Sequence, residues 1–183
     1  MVRYLIILML LISCTKQSIN GYNSYEIKKG EHESVKKFST LTSDKLSFDC
    51  KFDPSAIYDL GGDNQQDLNK LFGFSECNDF HQDNSARFGW RWYNDAIEIF
   101  AYVYNEGVRN VEPIKSVQPN EKHSYSIEIK RDTYIFIVDN TEVIMTRTNG
   151  CDVGLYYRLF PFFGGDEVAP HDIKVLIKEE LTR

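Results

Sequence analysis

Apolar and polar positions alternate along most of this chain with the two-residue period of β-strands, and no segment holds a long helical period. Successive strand residues point to opposite faces, so each alternating run divides into an inward and an outward set. The pattern predicts strands over 46–52, 70–75, 85–92, 97–104, 124–130, 134–138, 141–145, 151–163 and 173–178, with an edge strand over 22–27. Turn-forming clusters separate them, among them Asp53-Pro54, the loops 59–67 and 76–84, Asn94-Asp95, and a two-residue hairpin turn at Asp139-Asn140. Many short strands at regular spacing predict an all-β fold, a two-sheet antiparallel sandwich of the jelly-roll kind.

Sorting the strands by face brings out a contrast. Ala86, Phe88, Trp90 and Trp92 share one side of 85–92, and Ile97, Ile99, Ala101 and Val103 share one side of 97–104. Both sets read as core. The opposite sides carry Ser85, Arg87, Gly89 and Arg91 on one strand, and Glu98, Phe100, Tyr102 and Tyr104 on the next. A sheet with one packed face and one arginine–tyrosine face suits a groove for a sugar polymer. Tyr125, Ile127 and Ile129 alternate with Ser126, Glu128 and Lys130, as in a sheet solvated on one side. Cys50 shares its face with Phe48 and Phe52 and reads as a small buried hydrophobe.

The first residues change the picture of where the chain works. Val2-Arg3 precedes an apolar run over 4–12, far shorter than the roughly 20 residues that span a bilayer. It reads as the hydrophobic region of a signal peptide. It closes on Leu11-Ile12-Ser13-Cys14, which resembles a bacterial lipobox, so cleavage before Cys14 and lipidation of that cysteine are expected. The organisation is then a leader over 1–13, a lipid-anchored polar tether over 14–37 and a jelly-roll domain over 38–183. The expected location is the bacterial cell envelope, at the outer membrane or cell surface, with membrane contact through the lipid alone.

Charge and composition narrow the partners. A hydrophobic fraction of 42% and an aromatic fraction of 14% fit a globular domain with a real core. The formal net charge of −6 argues against nucleic acid while leaving room for a local basic groove. Cys50, Cys77 and Cys151 are odd in number, so at most one disulfide forms among them, and no Cys-x-x-Cys pair suggests a zinc site. His81 and His171 fall in loops and read as solvent-facing. Gly164-Gly165-Asp166-Glu167 holds oxygen ligands of the kind calcium takes. Gly-Gly-Asp is also ordinary turn chemistry, and that is the reading adopted, so no cofactor is expected.

Short motifs in order add a resemblance. The segments His123–Ile129 and Tyr134–Asn140 resemble the back-sheet hairpin of concanavalin A-like lectin and glucanase jelly rolls, with Asn140 in place of a glycine. The E-x-D-x-x-E strand of laminarinase-type glycosidases is missing, and with it the paired carboxylates that such chemistry needs. A nearer resemblance is to alginate and glucuronan polysaccharide lyases. Lys70-Leu71-Phe72-Gly73, Ser85-Ala86-Arg87-Phe88-Gly89-Trp90-Arg91, Glu98-Ile99-Phe100-Ala101-Tyr102 and Phe162-Phe163-Gly164-Gly165, followed by Pro170, occur in that family's order.

The resemblance implies a cleft lined by Lys70, Ser85, Arg87 and Tyr102. Phe100 departs from the family by replacing a tyrosine, and Tyr104 offers a hydroxyl from the same face. Lys70, Arg87, Tyr102 and Tyr104 are therefore the expected catalytic set, with Ser85, Arg91, Glu98, Phe100 and Arg158 binding substrate. Arg91 and Glu98 are also placed to pair with one another across neighbouring strands. The implied reaction is β-elimination beside a uronate carboxylate. Arg87 would neutralise the carboxylate, and Lys70, Tyr102 or Tyr104 would move protons. Two functions stay open at this point: a lyase on an acidic glycan, and a non-catalytic glycan-binding or structural envelope lipoprotein.

Overall fold

The computed structural model describes residues 20–35, 38–76, 78–148 and 156–180. The leader with Cys14, and Cys77 and Cys151, lie outside that range, so lipidation and the disulfide question lie there too. Twelve strands appear among the described residues. In chain order these are β1 (Asn23–Ile27), β2 (Thr40–Leu41), β3 (Lys45–Phe52), β4 (Asn69–Ser75), β5 (Ser85–Tyr93) and β6 (Ala96–Asn105). They continue as β7 (Val108–Val117), β8 (His123–Ile129), β9 (Thr133–Val138), β10 (Thr141–Thr146), β11 (Tyr156–Leu159) and β12 (Ile173–Glu179).

The strands form two six-stranded antiparallel sheets. The first runs β1-β12-β3-β8-β9-β10 and the second β2-β11-β4-β5-β6-β7. This is the expected jelly-roll sandwich. The inward sets meet between the sheets as an aromatic core. Phe88 meets Phe136 edge-on at 5.2 Å, and Phe48 stacks on Tyr125 at 5.2 Å. Trp90 has no exposed surface, and Trp92 packs against the same cluster. Such ring pairs add about 0.5–1.5 kcal/mol each beyond the area they bury. Cys50 is a free, buried thiol within this core.

Turns fall where the sequence puts them. Asn94 and Asp95 both take positive φ, 51° and 57°, which is what a tight two-residue hairpin between right-twisted strands requires. Thr141 pairs with Val138, so Asp139-Asn140 closes the next hairpin. Two of the longer segments differ from expectation. β7 was not predicted, because it is an edge strand wetted on both sides and carries Pro113, which leaves no alternation to read. Of the predicted run 151–163, the described residues 156–163 hold the four-residue β11 and then an isolated bridge from Phe162 to Lys70. Residues 23–27 form the predicted edge strand and pair with β12 along the sheet edge.

One buried ionic cluster ties the sheets together. The Arg147 guanidinium donates from Nε to Glu76 Oε1 at 2.8 Å and from Nη2 to Glu76 Oε2 at 2.9 Å. The Tyr134 hydroxyl donates to Glu76 Oε1 at 2.6 Å, and Arg147 Nη1 donates to the Lys130 carbonyl at 2.9 Å. Burial alone would lower the Arg147 pKa, but the Glu76 carboxylate outweighs it and the net shift is upward.

Candidate functional site

The outward face of the second sheet is where the cationic and aromatic residues meet. In the β5–β6 register Arg87 faces Tyr102, Gly89 faces Phe100 and Arg91 faces Glu98. Ser85 faces Tyr104 at one end. Two depressions divide this face.

The first is a cavity of about 410 Å³, lined by Lys70, Arg87, Tyr102, Tyr104, His81 and Arg109 among others. Lys70 reaches it through a β-bulge. Strict alternation in β4 would put Lys70 on the side of Phe72 and Phe74, in the core. Instead Lys70 pairs with Gly89 and Gly73 pairs with Arg87, so Leu71 and Phe72 together oppose Phe88. Both Leu71 and Phe72 are fully buried, and Lys70 and Gly73 turn outward. Gly73 is obligatory there, since a Cβ would sit 2.2 Å from Arg87 Cβ. The segment around Phe162 builds one wall. It exchanges backbone hydrogen bonds with Lys70, Lys70 N to Phe162 O at 2.8 Å and Phe162 N to Lys70 O at 2.9 Å.

The cavity is strongly electropositive although the chain as a whole is acidic. Glu33 is the one carboxylate among its described lining residues. Arg87 is 7% exposed, and its Nε has no hydrogen-bond partner. Its guanidinium lies 5.8 Å from the Tyr102 ring centroid. Burial pushes the Arg87 pKa down to about 10, with Tyr102 and Tyr104 acting against the shift, so it stays charged at neutral pH. Lys70 Nζ donates to the Gly164 carbonyl at 2.6 Å and lies 5.7 Å from the Tyr102 ring centroid. Burial first, then the Arg87 charge, push Lys70 down to about 8. Burial and a hydrogen bond with Tyr104 raise the Tyr102 pKa, so that phenol holds its proton. Burial, Arg87 and Lys70 lower the His81 pKa and favour the neutral imidazole.

The structure separates the predicted site residues into groups. Lys70, Arg87, Tyr102 and Tyr104 converge on one cavity. Ser85 is fully buried, and its hydroxyl donates to the His81 carbonyl at 2.6 Å, so it fixes the 76–84 loop and does not face the cavity. Arg158 lines the cavity, but its guanidinium is engaged by the Glu179 carboxylate and the Thr40 carbonyl. Arg91, Glu98 and Phe100 lie in the second depression. Arg91 and Glu98 form the cross-strand pair, Nε to Oε2 at 2.7 Å. Sequence reasoning missed Arg109 because it missed β7, and it set His81 aside as a loop residue. Nothing in the residues before Ser85 signals that His81 and Gln82 line the same cavity as Arg87.

No model of a known protein family matches this sequence, and no curated protein matches it. Solved structures do match in shape. Alginate lyase vAL-1 from Chlorella virus superposes with a TM-score of 0.53 at 11% identity, over 89% of this chain and 85% of that one. The catalytic domain of an endo-1,3-β-glucanase (laminarinase) from Thermotoga petrophila RKU-1 gives a TM-score of 0.57 at 12% identity, over 88% of this chain and 76% of that one. The fold is a concanavalin A-like jelly roll. Within that jelly roll, the 410 Å³ cavity brings together Lys70 and Arg87, two buried cations with no ion pair among the described residues.

Proposed function

We propose that this protein holds a uronate-containing polysaccharide in the cavity at Arg87 and cleaves it by β-elimination. The observation that carries the reading is the buried Arg87 guanidinium, charged, with its Nε unpartnered and no ion pair among the described residues. A planar fork of this kind takes a carboxylate bidentately. Such a contact also stabilises the enolate-like charge that develops when the proton beside that carboxylate leaves.

The remaining groups fit the proton traffic. Neutral Lys70 removes the proton from the carbon next to the carboxylate. The released electron pair forms a carbon–carbon double bond, and the glycosidic carbon–oxygen bond breaks. The departing oxygen takes its proton from the Tyr102 hydroxyl, whose raised pKa keeps it loaded. No water, oxidant or metal enters the balance. The likeness to a solved alginate lyase supports this choice of chemistry as an analogy of fold. The lipobox-like Leu11-Ile12-Ser13-Cys14 supports an envelope-anchored location.

One observation favours a second reading. Phe100 supplies a ring where the resembled lyases carry a tyrosine hydroxyl, and it lies in the other depression. Glycan binding without cleavage uses the same Arg87 contact. The test is absorbance near 232 nm, where unsaturated uronates absorb, with the full chain in detergent incubated with alginate and glucuronan. A rising signal lost in Arg87→Lys establishes the lyase. No signal, with Arg87-dependent retention on the polymer, assigns binding alone. Neither effect rejects both readings.

A further inference from the structure

Each sheet of the sandwich ends in two edge strands, and three of the four edges carry features that discourage pairing with another strand. β2 is only two residues long. β7 carries Pro113, the charges of Arg109, Glu112 and Lys115, and a register shift opposite Ile99 and Phe100. β1 runs into Lys28, whose amine pairs with Glu26 and Asp172. β10 is the exception. Its residues Thr141–Thr146 hold one charge, no proline and no register shift, and Ile144 is 58% exposed. β10 and β7 end the two sheets and together line a cavity of about 730 Å³, with Val108, Val143, Ile144 and Met145 among its walls.

The hairpin at Asp139-Asn140 sets which backbone groups of β10 are free. Thr141 opposes Val138 across a two-residue turn, a position that exchanges both backbone hydrogen bonds, so Thr141, Val143 and Met145 bond to β9. Glu142, Ile144 and Thr146 turn their N–H and C=O groups away from it. The Thr146 carbonyl is taken by Asn105 Nδ2 at 2.8 Å. The outward groups of Glu142 and Ile144 have no partner among the described residues. Those free groups are the set consumed by an antiparallel twofold pairing centred on Val143, in which Glu142 bonds with the partner's Ile144 and Ile144 with the partner's Glu142. Val143 then meets the partner's Val143 at the closer, non-bonded position, with Cα atoms about 4.5 Å apart. Each Glu142 lies opposite an isoleucine, so no like charges oppose one another. We propose that this chain forms a twofold dimer through β10, joining the first sheets of two copies edge to edge. The inference is independent of the glycan reading, since the Arg87 cavity lies on the outward face of the other sheet.

The experiment is sedimentation velocity on the full chain in detergent across a dilution series, since a strand-edge interface of this size dissociates on dilution. Wild type is expected to pass from two chains to one. Ile144→Glu sets a carboxylate against the partner's Glu142 at both symmetric positions and should raise the midpoint of that transition about tenfold. Ile144→Lys sets an ammonium against the same carboxylate and should keep the midpoint near that of wild type. That contrast separates the register from plain loss of an apolar side chain, and from two chains sharing a micelle. Combining Glu142→Lys with Ile144→Glu restores opposite charges and should restore the dimer. Single chains for wild type at every concentration, a midpoint that Ile144→Glu leaves unchanged, or a dimer that Ile144→Lys weakens as much as Ile144→Glu each overturn the proposal.

Discussion

Two arginines are buried to the same degree in this domain, each 7% exposed, and they are treated in opposite ways. Arg147 is clamped by both oxygens of Glu76, with Tyr134 and two backbone carbonyls completing the cluster. Its pKa rises. Arg87 has aromatic rings around it, a lysine beside it in the same cavity and no ion pair among the described residues, and its pKa falls to about 10. Taking an unpaired charge out of water is costly, which makes an unpaired buried cation a candidate contact for a ligand. The Arg147 cluster is structural cement. In the proposed function, Arg87 is the contact left for the carboxylate of the glycan.

The comparison breaks most directly at Glu76. Glu76→Gln leaves Arg147 charged and underpaired between the sheets, and urea unfolding should show a loss of about 3–5 kcal/mol. A loss below 1 kcal/mol would remove the distinction between the two arginines. Arg87→Lys keeps the charge but gives up the planar fork. Uronate binding should weaken by about 1.5–3 kcal/mol, the scale of charge-assisted hydrogen bonds, with no fall in melting temperature. A parallel loss of stability would instead make Arg87 structural.

Lys70 sharpens the point with a sign. Its folded pKa, about 8, lies below the unfolded value of 10.5, so its charged form destabilises the fold. That cost is fully present below pH 8 and disappears as pH rises to 10.5. Lys70→Met should therefore raise stability by about 1–3 kcal/mol at pH 7, with the gain shrinking to nothing across that window. Denaturant titrations of both proteins from pH 7 to 10.5 test it. The same group predicts a lyase rate that climbs as pH passes about 8, as neutral Lys70 accumulates. Between the two extremes stands Arg91, paired, with its side chain 20% exposed. Loss of the Glu98 partner should cost only about 0.2–1 kcal/mol in unfolding experiments.

Much of the sandwich was legible because a core face writes its own period. Phe88, Trp90, Ile97 and Ile99 alternate with polar or outward residues, and that fixed both strands and their faces. The cavity was legible in part for the same reason, since Arg87, Tyr102 and Tyr104 fall outward by simple parity. β7 escaped because an edge strand with two wet faces has no period. The grouping of site residues also escaped. Parity shows that Arg87 and Arg91 share a face, but not that Glu98 neutralises one and leaves the other alone. Lys70 reached the expected site through a motif, although its own strand pattern points it the wrong way, and a pattern alone does not announce a bulge.

The extra residue in that bulge carries a consequence for how such a protein can vary. With Leu71 and Phe72 together opposing one residue of the neighbouring strand, β4 can lose one of them and still present its two ends as before. Lys70 and Gly73 would keep their sides, and only the interior would change volume. Insertions and deletions at this point thus reshape the inside, while substitutions at Lys70 and Arg87 retune the pocket. The two properties can drift independently along a single strand.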